Sequence, residues 1–148
     1  MDHSSSSMQL TRAADYGLRA MICLASHPAN ERLLLPDLAA ATEAPLSFLS
    51  KVMQSLTRAG LIRSRRGKMG GFTLLPLGRE ASVREVIEAI DGPIRLNVCL
   101  APGKSCKRKP WCKAHPIWIE AQQAMLEVLG KARVADLGGA ALQHPSES

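Results

Sequence analysis

The stretch PLSFLSKVMQSLTRAGLIRSRRGKMGGFTLL, residues 45–75, changes its period halfway along. Up to Gly60 the apolar residues Leu46, Leu49, Val52, Met53 and Leu56 recur at spacings of three and four, which puts them on one face of a helix. Ser47, Ser50, Lys51, Gln54 and Arg58 fall on its other face. Pro45 opens this helix at its first position and Gly60 caps it. From Leu61 the pattern becomes two short extended runs, Leu61–Ser64 and Phe72–Leu75, flanking a basic tip rich in glycine. That pattern predicts a β-hairpin.

Just upstream, Pro36 opens a shorter helix, PDLAAAT. Two short helices joined by a few residues predict a helix-turn-helix, and a hairpin directly behind its second helix is a wing. Before them, Leu10, Ala14, Leu18, Met21, Ile22 and Ala25 keep helical spacing as far as His27-Pro28, where proline disfavours a further turn. After the hairpin, SVREVIEAIDG has the spacing of a capping box at Ser82 and Glu85, with Gly92 and Pro93 as a stop. PIWIEAQQAMLEVLGKA then reads as one long helix. Its seam of Ile117, Ala121, Ala124, Met125 and Val128 is close to heptad spacing and needs something to pack on. A two-fold partner is the simplest candidate.

The fold class expected is therefore mainly α: a winged helix-turn-helix with a small β-hairpin wing and a long C-terminal dimerisation helix. The expected boundaries are a winged domain over 8–92, a cysteine-rich segment over 93–115, and a dimerisation helix with closing turn over 116–138. MDHSSSS, residues 1–7, reads as a disordered tail or an expression remnant, and residues 139–148 as a second disordered tail.

Bulk properties agree with a DNA-binding chain. The 148 residues carry a formal charge of +6, and the pI is about 9.5. That balance favours an anionic partner, nucleic acid or a membrane surface. No apolar run approaches the roughly 20 residues of a membrane helix, and the start has no secretory apolar region. The expected location is the cytoplasm, with no membrane partner. Arg63, Arg65, Arg66 and Lys68 crowd the predicted hairpin. The bland reading is a solvated turn, but arginine matches phosphate and guanine edges through its planar fork. A helix-turn-helix lays its second helix in the major groove, and Ser47, Ser50 and Lys51 lie near that helix's N-terminal end. The expected partner is double-stranded DNA.

The segment CLAPGKSCKRKPWCKAH, residues 99–115, holds Cys99, Cys106 and Cys112. In a reducing compartment such a cluster suggests metal before disulfide. The gaps of six and five residues match neither zinc C-x2-C pairs nor ferredoxin runs. Three thiolates can still hold an iron–sulfur cluster if a fourth ligand comes from elsewhere. Lysines 104, 107, 109 and 113 and Arg108 would offset its negative charge. The alternatives are a cluster-free thiol switch, a zinc-stabilised DNA-binding or interaction domain, and a loop whose cysteines are incidental. Cys23, mid-helix among apolar residues, reads as a small buried side chain. No nucleophile-and-base constellation, phosphate-binding glycine motif or metal-hydrolase motif argues for an enzyme. His27, His115 and His144 make no recognisable catalytic set.

Taken together, these residues resemble the bacterial iron–sulfur-cluster regulators of the IscR and NsrR type. MQLTRAADYGLRAMICLA resembles their opening helix, and LSFLSKVMQSLTRAGLIRSRRGKMGGFTL their recognition helix and wing. SVREVIEAIDG, the three cysteines followed by C-x-x-H-x-x-W, and VADL complete a likeness over roughly residues 8–138. The resemblance implies a homodimer on near-palindromic promoter DNA. It implies a cluster on Cys99, Cys106 and Cys112 that senses iron, redox or nitric oxide status. It offers two fourth ligands: His115, as in the two-iron branch, or Asp15 of the partner subunit, as in a four-iron, nitric-oxide-sensing branch. The two-iron form is slightly favoured. Ser50 and Lys51 stand where two-iron members commonly have glutamate and glutamine, so base preference there should differ.

Overall fold

The computed structural model of the chain describes residues 10–66, 71–95 and 113–139. Seven helices and three strands follow one another in these segments: α1 (Arg12–Ala25), β1 (Arg32–Leu33), α2 (Leu35–Thr42), α3 (Leu46–Arg58), β2 (Ile62–Arg65), β3 (Gly71–Leu74), α4 (Pro76–Glu80), α5 (Val83–Asp91), α6 (His115–Lys131) and α7 (Val134–Gly139). The helix-turn-helix is α2, the turn at Glu43–Pro45, and α3. Glu43 closes α2 in the left-handed conformation at φ 57. Both prolines sit one place away from the expected first helical position. Pro45 is the N-cap of α3, while α2 already begins at Leu35. Pro36 thus stands second in its helix, where its missing N–H has no intrahelical partner to lose, while Pro45 keeps an extended backbone at ψ 136.

The main core lies between α1, α2 and α3, beneath the sheet. Met21, Leu38, Leu49, Met53, Leu56 and Ile62 are fully buried. Each large apolar side chain so placed contributes about 1.5–3 kcal/mol. Leu46, at the start of the apolar stripe, is instead 50% exposed, as is Leu10 ahead of α1. Both lie where their elements begin, beyond the reach of the neighbouring helix. Buried Thr42 keeps its hydroxyl satisfied by donating to the Leu38 carbonyl at 2.8 Å.

The wing is a sheet of three strands in the order β1-β3-β2. Its hairpin pairs Ile62 with Leu74 and Arg65 with Gly71. The hairpin tip, including Lys68, lies outside the described residues. Strand β1, which the sequence pattern did not show, pairs Arg32 with Thr73 and Leu33 with Phe72. Gly60, at φ +79, turns the chain out of α3 into β2.

Helix α5 carries the predicted capping box. The Glu85 amide donates to the Ser82 hydroxyl at 3.1 Å, and the Ser82 amide donates to Glu85 Oε1 at 2.9 Å. The chain then returns to the core. Ser82 and Arg133 form a β-bridge, and Val134 in α7 is fully buried. Ala14 of α1, with Val83 and Ile87 of α5, forms a second small core that Leu129 and Ala132 pack against. Helix α6 is thus held at its C-terminal end. None of its 17 residues is buried.

Candidate functional site

Helix α3 is fixed from behind. Leu49, Val52, Met53 and Leu56 anchor it in the core, and Phe48 meets Tyr16 of α1 edge to face at 5.7 Å between ring centroids. Its opposite face is therefore set rigidly outward. Ser47, Lys51, Gln54 and Arg58 are exposed and Ser50 is half-buried. At spacings of three and four they form one polar stripe. No carboxylate among the described residues pairs with Lys51.

Arg63, Arg65 and Arg66 are exposed on and just beyond β2. Strand alternation turns Ile62 inward and Arg63 and Arg65 outward. The sheet adds a cation that the sequence reading missed, because Arg32 on β1 lies across Thr73 from Arg63. Its sequence signal is slight: a lone arginine after Asn30, whose positive φ of 70 marks a turn. The recognition stripe and the basic sheet thus follow each other in one compact unit, an arrangement suited to a nucleic-acid duplex.

The chain matches, over residues 10–140, the family Rrf2, described as iron-dependent transcriptional regulators. The chain belongs to the Rrf2 family. One Rrf2-type relative is the HTH-type transcriptional regulator NsrR of Geobacillus kaustophilus, 32% identical over 131 residues that cover 88% of this chain and 89% of NsrR. The crystal structure of Staphylococcus aureus CymR superposes with a TM-score of 0.71 at 27% identity, covering 90% of this chain and all of the other. T. potens IscR shares the fold, with a TM-score of 0.68 at 21% identity over 95% of this chain and 96% of its own. Rrf2 proteins are DNA-binding transcription regulators. No helix among the described residues is long and apolar enough to cross a membrane.

Of the candidate cluster ligands, Cys99, Cys106 and Cys112 lie outside the described residues. The two candidates for the fourth position are both described, and they differ. His115 is the first residue of α6. Its Nδ1 is buried and has no hydrogen-bond partner among the described residues. A buried ring nitrogen left unpaired costs about 1–3 kcal/mol, and in the tautomer that leaves Nδ1 unprotonated its lone pair is open to a donor or an electrophile. Asp15 is already engaged. Its carboxylate accepts from Arg19 Nε at 3.3 Å and lies 3.3 Å from Arg19 Nη2, with both side chains about half exposed. Chemically, imidazole and thiolates suit iron, so the donor set fits an iron–sulfur group. Cys23 is half-buried against the core rather than fully buried. Its burial pushes the thiol pKa up, which makes it a poor thiolate.

Proposed function

We propose that this Rrf2 protein is a homodimeric promoter-binding regulator that senses iron, redox or nitric oxide status through an iron–sulfur cluster. Cys99, Cys106 and Cys112 would hold the cluster, with His115 as the fourth ligand. The observation that carries this reading is the orphaned Nδ1 of His115, three residues after Cys112. The resting engagement of Asp15 with Arg19 favours His115 over the four-iron alternative. When bound, a cluster supplies one-electron chemistry and an iron that meets diffusible oxidants.

The chain's own residues do the rest. The α3 stripe of Ser47, Ser50 and Lys51 reads base edges, while Arg63, Arg65, Arg66 and Lys68 hold phosphates. Helix α6 supports a two-fold partner. Ile117 is 61% exposed and Val128 is 68% exposed, on a helix with no buried residue at all. Because His115 opens α6, a cluster held by His115 would act directly on the helix that would join the two subunits, a ligand-biased shift between two states.

One finding supports a second reading, a cluster-free thiol switch. A second similar structure, at 25% identity and a TM-score of 0.70, is the oxidized form of S. aureus CymR. The two readings separate by comparing the binding of fluorescent duplex DNA, by anisotropy, to anaerobically purified protein before and after removal of iron by a chelator. Cluster sensing predicts a changed affinity or sequence preference with every thiol still reduced. A thiol switch predicts no change until the thiols are oxidised. Arg66→Ala should weaken the complex and lower the slope of log K against log salt by about 1. Unaltered binding by that variant would remove the wing from the interface.

A further inference from the structure

We propose that the outer face of the sheet is a phosphate-binding groove, built by Arg32 of β1 and by Arg63 and Arg65 of β2 around Thr73 of β3. These residues, with Asn30, line one cavity of about 440 Å³, within the size range of ligand pockets. The register explains the convergence. Arg32 and Arg63 both pair with Thr73 on the central strand, one from each side. Two antiparallel steps put their Cα atoms roughly 10 Å apart. Arg65 lies two residues along from Arg63, on the same face.

No carboxylate among the described residues lines this groove. Among the described residues, none of the three arginines takes part in an ion pair. Neighbouring Glu31 lies 4.0 Å from His27 instead. Three guanidinium groups around one cavity repel each other, and an anion between them removes that repulsion. Their planar forks suit phosphate oxygens, and Thr73 and Asn30 add a hydroxyl and an amide donor.

The groove also depends on one glycine. Gly71 has φ +139, and a Cβ there would come within 2.7 Å of the Leu33 carbonyl oxygen and 2.8 Å of Arg32 Cγ. Its bare Cα lets β1 and the Arg32 stem close on β3. The ligand is a phosphate group, either from the backbone of duplex DNA or from a free phosphorylated small molecule. The first source rests on the DNA reading above; the second does not.

Two probes on the full-length protein tell these apart: pyrophosphate followed by amide chemical shifts, and a labelled random-sequence duplex followed by anisotropy across a salt series. If the source is free phosphate, pyrophosphate shifts the amides around Asn30, Arg32, Arg63 and Thr73. Arg32→Gln and Arg63→Gln then weaken it roughly tenfold each. If the source is backbone phosphate, pyrophosphate does nothing, and both variants weaken the duplex and lower its salt slope by about 1. Gly71→Ala should give the same loss with all three arginines retained. Arg12, exposed on α1 and outside the groove, serves as the control. Arg12→Ala should leave pyrophosphate binding intact, and a wild type that binds pyrophosphate but no duplex would overturn the DNA reading while the groove stands. Folded Arg32→Gln and Arg63→Gln proteins that bind both probes as wild type does, or a wild type that binds neither, would overturn the groove.

Discussion

The Thr11 hydroxyl lies 2.7 Å from an Asp91 carboxylate oxygen, tying the start of α1 to the last residue of α5. The Thr11 hydroxyl oxygen also accepts the Ala14 amide at 3.0 Å and so caps α1. One side chain thus joins the helix that carries Asp15 to the point where the chain leaves α5 towards the cysteine segment. Thr11→Ala should cost about 1–2 kcal/mol, read by chemical denaturation. Thr11→Ser should retain most of it, and Asp91→Ala should cost less than Thr11→Ala because the cap survives. Equal losses for Thr11→Ser and Thr11→Ala would mean that the hydroxyl contributes nothing.

Glycine substitutions should act with opposite signs at two places. A Cβ on Gly78 of α4 would collide with the carbonyl oxygen of Leu61, a backbone group that accepts the Leu75 amide at 3.1 Å. Neither partner can step aside without loosening the entry and exit of the wing. Gly78→Ala should therefore destabilise by about 1–3 kcal/mol. Gly130, in α6, has nothing within 4 Å of such a Cβ. Gly130→Ala should stabilise by up to about 1 kcal/mol through helix propensity. Melting temperatures of the two variants that move the same way would contradict this.

These particulars show what a sequence can and cannot reveal. The helices α1, α3 and α5 were legible because their apolar spacing and caps are local properties, as at Ser82 and Glu85. The hairpin was legible because its two runs flank a glycine-rich tip. Strand β1 was not. Arg32 and Leu33 are too few to show alternation, and they are extended because Thr73 and Phe72 lie beside them. Helix α4 is hidden for a similar reason, since PLGRE is barely longer than one turn and contains a glycine. The site divides in the same way. Lys51, Arg63, Arg65 and Arg66 could be named from the chain, whereas Arg32 joins them only through pairing across the sheet. The i,i+4 spacing of Asp15 and Arg19 is itself a sequence signal for their pairing, whereas the burial of His115 Nδ1 without a partner among the described residues is not legible in the chain.

Cys23 and the other cysteines should differ in titration and in reactivity. Burial raises the Cys23 thiol pKa in the folded chain, so the folded state keeps that proton when the unfolded state has lost it. Its contribution to stability is therefore full below the unfolded thiol pKa of about 8.5 and declines as pH rises through the folded value. Cys23→Ala should flatten that decline and leave any visible absorption of the protein intact. Cys99→Ala, Cys106→Ala and Cys112→Ala should each abolish the absorption. Loss of colour in Cys23→Ala alone would overturn the ligand assignment.

The most direct test is an iron and acid-labile sulfide count, with a visible spectrum, on anaerobically purified wild type, His115→Ala and Asp15→Ala. A cluster on Cys99, Cys106, Cys112 and His115 predicts about two irons and two sulfides per chain with a multi-band spectrum. That spectrum should be altered or lost in His115→Ala and kept in Asp15→Ala. About four irons with one broad band, sensitive to Asp15→Ala, would replace His115 by Asp15. A wild type with no iron, no zinc and intact thiols would contradict cluster sensing and leave the thiol switch in its place.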